Sequence, residues 1–260
     1  MGEHSPRPMA AKKSTRPPDD EAAFLARYDA SKFYRPSVAV DVVLVTAVEG
    51  ELATLVIVRG EHPCKGCHAL PGGFLREGEG LDEAAARQLA TKVGLSGVYL
   101  EQLYTFGDVG RDPRTRVITV AYYALVDAKR FQKVTAGKDA VTATVRVPWE
   151  GETGGPVELV DRDGRLLRMA FDHDEIVGMA IKRLRGKLDY APIGFQLLGD
   201  TFTLLELQRV HETVLGRPLN KDSFRRRMLA SGQLDATGRS QRGVDHRPAE
   251  LYRFARRSAV

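Results

Sequence analysis

The stretch GGFLREGEGLDEAAARQLATKVGL, from Gly72 to Leu95, joins paired glycines to a helical pattern. Glycine lets backbone approach a phosphate closely, and a following helix offers its positive N-terminus to the same anion. Hydrolysis of a nucleoside diphosphate would also need carboxylates at i, i+3 and i+4 on one helix face, holding Mg²⁺ against the pyrophosphate and activating water. Those three positions read Gln88, Thr91 and Lys92. Three acids have become two neutral side chains and a cation. An ammonium roughly 5 Å from a divalent ion is repelled by roughly 6 kcal/mol at an effective dielectric of about 20. Glu79 survives, with Glu77, Asp82 and Glu83 nearby. Asp82 and Glu83 also suit a helix's first turn, and Glu83 can pair with Arg87 at i,i+4. The spacing predicts a phosphate-binding loop and helix with little or no hydrolysis, no catalytic residue and no metal.

Further ligand contacts are expected around this loop. Gly72, Gly73 and Phe74 close the segment LPGGF, and Arg59 stands at the end of a strand with Lys65 beyond it. In YTFGDVGRDPRTRVITVAYYALV, Phe106 could stack on a base while Arg111, Arg114 or Arg116 meets phosphate bidentately. The C-terminal end carries a second chemistry. Residues 201–260 hold twelve Lys/Arg against six Asp/Glu, a balance of +6, so the first 200 residues sum to −1. A near-neutral body with a basic end suggests a polyanionic partner. Asn220, Lys221, Ser223, Arg225, Arg226 and Arg227 fall at and within one helix, and Arg239, Arg242 and Arg247 in a following ribbon. Three consecutive arginines span about 200° of a helix, so one or two can read base edges while another touches phosphate.

These residues must be positioned by elements. SVAVDVVLVTAVEGELATLVIVRG reads as a hairpin turning at Glu49-Gly50, 117–126 and 143–149 as strands, and 156–171 as a hairpin turning at Asp163-Gly164. Helices are predicted at 81–93, with Leu81, Ala85, Leu89 and Val93 as its buried stripe, and from Asp172 to Gly186, with Asp172 and Glu175 as a capping pair. The pattern changes near 188–191. A short helix around Pro192 follows, then a helix with Thr203 and Glu206 in capping-box register that stops at Gly216. A third helix docks Phe224, Met228 and Leu229, and a β-ribbon closes the chain. Three helices and a ribbon outline a winged helix-turn-helix whose third helix is the recognition helix. Three segments result: a flexible N-terminal tail over 1–34, a ligand-binding domain over 35–188, and a DNA-binding domain over 189–260.

Two cysteines, Cys64 and Cys67, exclude a disulfide framework and point to a reducing cytoplasm. In HPCKGCH they stand with His62 and His68, but one short loop wraps a zinc tetrahedron poorly. His173 reads as a helix cap or pocket wall, and Trp149 as core or pocket rim. No apolar run approaches the roughly 18 residues of a membrane helix, and the polar, proline-bearing N-terminus has no apolar signal-peptide core.

Gly73, Glu79, Arg87, Leu89, Gly94 and Leu95 match the Nudix box. LPGGF, TFGD..RDPR.RV..VAYYALV, AFDHDEI and FTL.ELQ.V.E..LGRPL.K..FRR resemble the Nudix-related transcriptional regulators of NAD metabolism, the NrtR type, over about residues 35–254. The resemblance implies an α+β chain: a Nudix α/β/α sandwich around a mixed sheet, followed by a winged helix. It further implies a homodimeric bacterial repressor, nucleoid-associated in the cytoplasm, that binds a palindromic double-stranded DNA operator. Its effector would be ADP-ribose or a related NAD-derived nucleotide, with no required cofactor and no membrane partner. His68 stands where a tryptophan is common in that family. The alternative is an ADP-ribose pyrophosphatase with residual, metal-dependent activity through Glu79.

Overall fold

A computed structural model describes residues 18–134, 140–188, 190–243 and 247–255. The chain divides after Arg35 into two units. In the first, α1 (Pro18–Arg27) precedes a single 3-10 turn, Ala30–Lys32, whose cap Asp29 accepts a hydrogen bond from the Ser31 amide. The predicted tail is thus helical over much of 18–34; its residues 1–17 lie outside the described residues. Exposed Phe24, Tyr28 and Phe33 pack ring to ring and give this short unit an apolar cluster.

The second unit is built on one mixed sheet. Its strands are β1 (Ser37–Val48), β2 (Glu51–Val58), β3 (His68–Ala69), β4 (Gly72–Phe74), β5 (Tyr99–Phe106), β6 (Val117–Leu125), β7 (Ala140–Arg146) and β8 (Glu158–Val160). They run in the order β5-β6-β1-β2-β7-β8, with β4 on β1 and β3 on β2. β1 and β6 are parallel, and the other pairs antiparallel. The β1–β2 hairpin turns at Glu49-Gly50, where φ is 52° and 84°, the left-handed pair that matches strand twist. The second predicted hairpin keeps its turn but not its return strand. Beyond β8, the Asp161 carboxylate accepts the Asp163 and Arg165 amides, and the chain returns through isolated bridges at Leu166 and Met169.

Helices cover both faces. On one lie α2 (Leu81–Val93) and α3 (Ala128–Val134), whose Ala85, Leu89, Val93 and Phe131 pack against Val40, Val42, Leu44 and Tyr122. On the other lies α4 (His173–Lys187), with Ile176, Ala180, Ile181 and Leu184 against Val43, Val45, Tyr123 and Leu159. Alternate β1 residues therefore feed two cores, as a strand buried on both sides must.

After α4 come a 3-10 helix (Pro192–Leu197), α5 (Leu204–Leu215), α6 (Lys221–Ala230), β9 (Leu234–Ser240) and β10 (Glu250–Phe254). The capping box forms as predicted: the Thr203 hydroxyl accepts the Glu206 amide at 3.1 Å, and Glu206 accepts the Thr203 amide at 2.6 Å. Phe195, Phe202, Leu207, Phe224, Met228 and Tyr252 make a separate small core. Leu229 does not join it; its side chain is exposed, one step past the buried Phe224–Met228 face. Val210 and Val214 of α5 belong instead to the α4 core, so the C-terminal domain is packed on the sheet domain through apolar side chains. Among the described residues, no helix is long and apolar enough to cross a membrane.

Candidate ligand site and nucleic-acid interface

The glycine pair is held where no other residue fits. A Cβ on Gly72 would lie 2.1 Å from an Asp41 carboxylate oxygen and 2.7 Å from the Val40 carbonyl. One on Gly73 would lie 2.6 Å from the amide end of the Gln88 side chain. Strand pairing aligns Phe74 with Ala39, Ala39 with Thr119, and Thr119 with Phe106. These four residues form one cross-strand row, about 14 Å long at the usual strand spacing. Paired residues point to the same face, here the α4 side, where Phe106 packs against the core and the edge of Tyr104.

Beneath the row sits a buried polar cluster. Asp41 accepts a hydrogen bond from the Thr119 hydroxyl at 2.7 Å. Arg111 makes a two-pronged pair with Asp172, at 2.9 and 2.6 Å, and lies 3.9 Å from Asp41. Its side chain is only 4% exposed. Arg111, expected to meet phosphate, gives its Nε and Nη2 donors to Asp172 at the start of α4. Asp172 departs from the expected capping pair: its carboxylate serves Arg111 and makes no cap hydrogen bond. His173 is buried at the start of α4. Its Nδ1 accepts the Leu70 amide at 2.9 Å, so the neutral ring carries its proton on Nε2, 3.8 Å from Asp41. Burial pushes this imidazole below its ordinary pKa, against the attraction of Asp41 and Asp172.

Above the cluster, arginines and aromatics interleave. Arg59 lies over the Phe171 ring at 4.9 Å, and Arg114 reaches both Phe171 at 5.9 Å and Phe74 at 5.7 Å. Phe171 holds φ 56°, a conformation rare for an aromatic residue, and this re-aims the chain between Ala170 and α4. Arg116 lies beside Gly107, one residue beyond Phe106, and donates to the Asp108 carbonyl at 2.7 Å. Lys65 is exposed. A cavity of about 1010 Å³ opens elsewhere, between β5, α3 and the winged helix, and none of the predicted ligand residues lines it.

The helix positions that would carry metal do not fit a divalent ion. Gln88 is buried, with its amide nitrogen donating to the Gly72 carbonyl at 3.1 Å and its oxygen accepting from Arg87 at 3.0 Å. The Thr91 hydroxyl donates back to the Arg87 carbonyl at 2.8 Å, and Lys92 is exposed. Glu79 is taken by Arg87 through both carboxylate oxygens and by the Arg76 amide at 3.0 Å. The Arg87 hydrogen bonds hold its carboxyl well down, at about 2. The expected Glu83–Arg87 pair is absent: Glu83 accepts the Gly80 amide at 3.1 Å instead. Among the described residues, no group of three or more His, Cys, Asp or Glu stands together to hold a metal. The Cys67 amide closes a turn on the Cys64 carbonyl, and both thiols are free.

At the other end, α6 buries Phe224 and Met228 and leaves Lys221, Ser223, Arg225 and Arg226 exposed. Asn220 caps the helix, accepting the Ser223 amide at 2.9 Å. Arg227 is exposed as well and leans toward a flank, over the Phe224 ring at 5.7 Å, lining a cavity of about 110 Å³ with Leu188 and Pro192. In the wing, β9 pairs with β10, and Tyr252 and Phe202 exchange backbone hydrogen bonds at 2.8 and 2.9 Å. Arg239 is exposed on β9, and Arg242 and Arg247 are exposed between β9 and β10; residues 244–246 lie outside the described residues.

Comparison with known proteins agrees with both halves. The NUDIX domain matches residues 35–170, and the NrtR DNA-binding winged helix domain matches residues 194–254. The ADPR responsive transcriptional repressor NtrR of Acinetobacter baylyi is 36% identical over 237 residues, covering 90% of this chain and 88% of that protein. The chain belongs to the NrtR family. The crystal structure of Shewanella oneidensis NrtR complexed with a 27mer DNA superposes with a TM-score of 0.68 at 32% identity, covering 84% of this chain and 93% of that one. The Nudix half alone is also similar to an ADP-ribose pyrophosphatase of Methanocaldococcus jannaschii, 32% identical over 145 residues, covering 56% of this chain and 73% of that enzyme.

Within this chain, several site residues escaped the motif. Asp41 is the one charged residue in the apolar run SVAVDVVLV, a signal readable in retrospect. Gln88 reads as a missing acid until its buried hydrogen bonds are seen. Phe171 gave no sign, since nothing in its neighbours encodes a left-handed backbone.

Proposed function

We propose that the chain is a transcriptional repressor of NAD-metabolism genes that reads ADP-ribose, or a closely related NAD-derived nucleotide, through a Nudix fold with its hydrolytic chemistry retired. The observation that carries this reading is the pairing of two features in one chain. A Nudix helix has its acid positions turned to structural use at Gln88 and Thr91, and a winged helix presents Arg225 and Arg226 to solvent. A relative at 36% identity bears the name of an ADP-ribose-responsive repressor, and a solved relative at 32% identity is bound to DNA.

The cross-strand row offers Phe74 and Phe106 as platforms about 14 Å apart, suited to the two ends of an extended dinucleotide-like ligand. Arg114, paired with Asp112, lies over Phe74, Arg116 lies beside Gly107 next to Phe106, and Arg59 lies over Phe171, while Gly72 and Gly73 supply close backbone. Arg225 and Arg226 read base edges in the major groove, Lys221 and Ser223 sit at the helix start, and Arg239, Arg242 and Arg247 meet the DNA backbone or minor groove. A palindromic operator bound by a homodimer, in the compartment that holds the chromosome, completes the reading. The domain borders fall between 34 and 35 and between 188 and 189.

The deciding measurement is fluorescence anisotropy on DNA from upstream of NAD-biosynthesis genes, at fixed salt with excess competitor, titrated with ADP-ribose. Specific binding that weakens with ADP-ribose is expected. ADP-ribose turnover with Mg²⁺ that disappears in Glu79→Gln would overturn the non-enzymatic half and favour the hydrolase.

A further inference from the structure

α4 touches both functional regions. Its first turn is fixed to the floor of the ligand site: Asp172 pairs with Arg111, and His173 accepts the Leu70 amide while facing Asp41, on which Gly72 rests. Its last turns lie about 20 Å away, the length of a fifteen-residue helix. There Arg185 is buried, 6% exposed, beneath the winged helix. Its Nε donates to the Val214 carbonyl in the last turn of α5 at 2.8 Å. Its Nη1 donates to the carbonyls of Trp149 and Gly151 at 3.2 and 3.0 Å, and its guanidinium lies 4.8 Å over the Trp149 ring. Among the described residues, Arg185 has no carboxylate within ion-pair distance. A buried cation without an acid is a costly choice for packing alone.

The geometry explains what the cation does there. The last carbonyls of a helix lack intrahelical partners and carry partial negative charge. Arg185 satisfies one of them from a different helix, so it caps α5 from α4. α5 leads through a five-residue turn into α6, where Arg225 and Arg226 stand. We infer that Arg185 is the positioning residue through which the ligand site sets the attitude of the DNA-binding helices: a shift of the first turn of α4 is carried along a rigid helix to the C-terminal cap of α5. A ligand that meets the Asp41–Arg111–Asp172 floor differently in two states then has a physical route to α6. The inference rests on the proposed repressor reading. It assigns Arg185 no contact with either ligand or DNA.

The test compares wild type, Arg185→Met and Arg185→Lys in three measurements: operator Kd, ADP-ribose Kd, and the ratio of operator Kd with and without saturating ADP-ribose. Wild type is expected to show a ratio of about 5–150, the usual range of allosteric coupling. Arg185→Met is expected to bring the ratio within about twofold of one, while each separate Kd stays within about threefold. Arg185→Lys, which keeps the charge but not the three-carbonyl fork, should fall between them. A merely structural arginine would lower both affinities and leave the ratio alone. A folded Arg185→Met protein with the wild-type ratio overturns the inference and leaves the repressor reading standing. A wild-type ratio of one overturns the reading and the inference together. Should both variants fail to fold, hydrogen exchange on the wild type decides. ADP-ribose must change the protection of the Gly216 and Arg217 amides, which donate to Glu212 at the end of α5, and unchanged exchange there sinks the idea.

Discussion

Gln88 and Glu79 show how side chains at an enzyme's positions serve as scaffold. Gln88→Glu removes the donor to the Gly72 carbonyl and sets a carboxylate against it in a buried site. The expected cost is about 1–3 kcal/mol, read as a Tm several degrees lower by calorimetry; an unchanged Tm would contradict the tether. Glu79 gives a pH signature. Arg87 depresses its carboxyl from 4.5 to about 2, so the folded state holds the anion more firmly than the unfolded chain does. That contribution is complete above pH 4.5 and is lost as pH falls toward about 2. Acid unfolding of Glu79→Gln should therefore differ from wild type above pH 4.5 and converge with it in strong acid. His173 acts in the same direction at milder pH. Its lowered folded pKa means the unfolded chain takes the proton first, so stability declines as pH drops below 6.5. The motif made most of these residues visible, because spacing alone marks Gly73, Glu79 and Arg87. It hid their partners. For Arg111, sequence shows an arginine in a loop and not the Asp172 that pairs with it 61 positions away.

At the scale of elements, patterns with a local cause were legible and those with a tertiary cause were not. The Glu49-Gly50 hairpin, α2, and the capped α5 each carry their signal in adjacent residues, and each forms. β5 escaped because Glu101 and Gln102 interrupt its alternation; Glu101 is satisfied by Lys187 and Tyr123 from distant elements. The return arm after Asp163-Gly164 failed as a strand because only single bridges hold it. α1 went unread in a proline-bearing tail. Thr203→Ala should remove the reciprocal cap of α5 and cost about 1 kcal/mol, seen as a lower melting temperature with ligand affinity unchanged. On α6, Arg225→Ala and Arg226→Ala should each weaken operator binding by about 1–3 kcal/mol and relax the preference for one base. Arg242→Ala in the wing should weaken all sequences alike and lower the salt slope by about one. Equal losses on operator and random DNA for the α6 variants would remove α6 as the reading helix.

As a whole molecule, the chain from Pro36 onward joins its two domains through a shared core, in which Val210 and Val214 stand with Ile181 and Leu184. Calorimetry should give a single unfolding transition for this part, and two well-separated peaks would show that the shared core is too weak to join them. The parallel pairing of β1 with β6 reaches further still. Val38 lies against Ile118, about 80 residues downstream, so the central sheet cannot close until nearly half the chain has left the ribosome. Pairing between such remote segments is slow. The sensor is translated first but has this slow pairing to complete, and α4, the seat for α5, needs that sheet beneath it. A newly made chain therefore completes its ligand-binding half and its DNA-binding half at about the same time, since α5 packs Val210 and Val214 on α4.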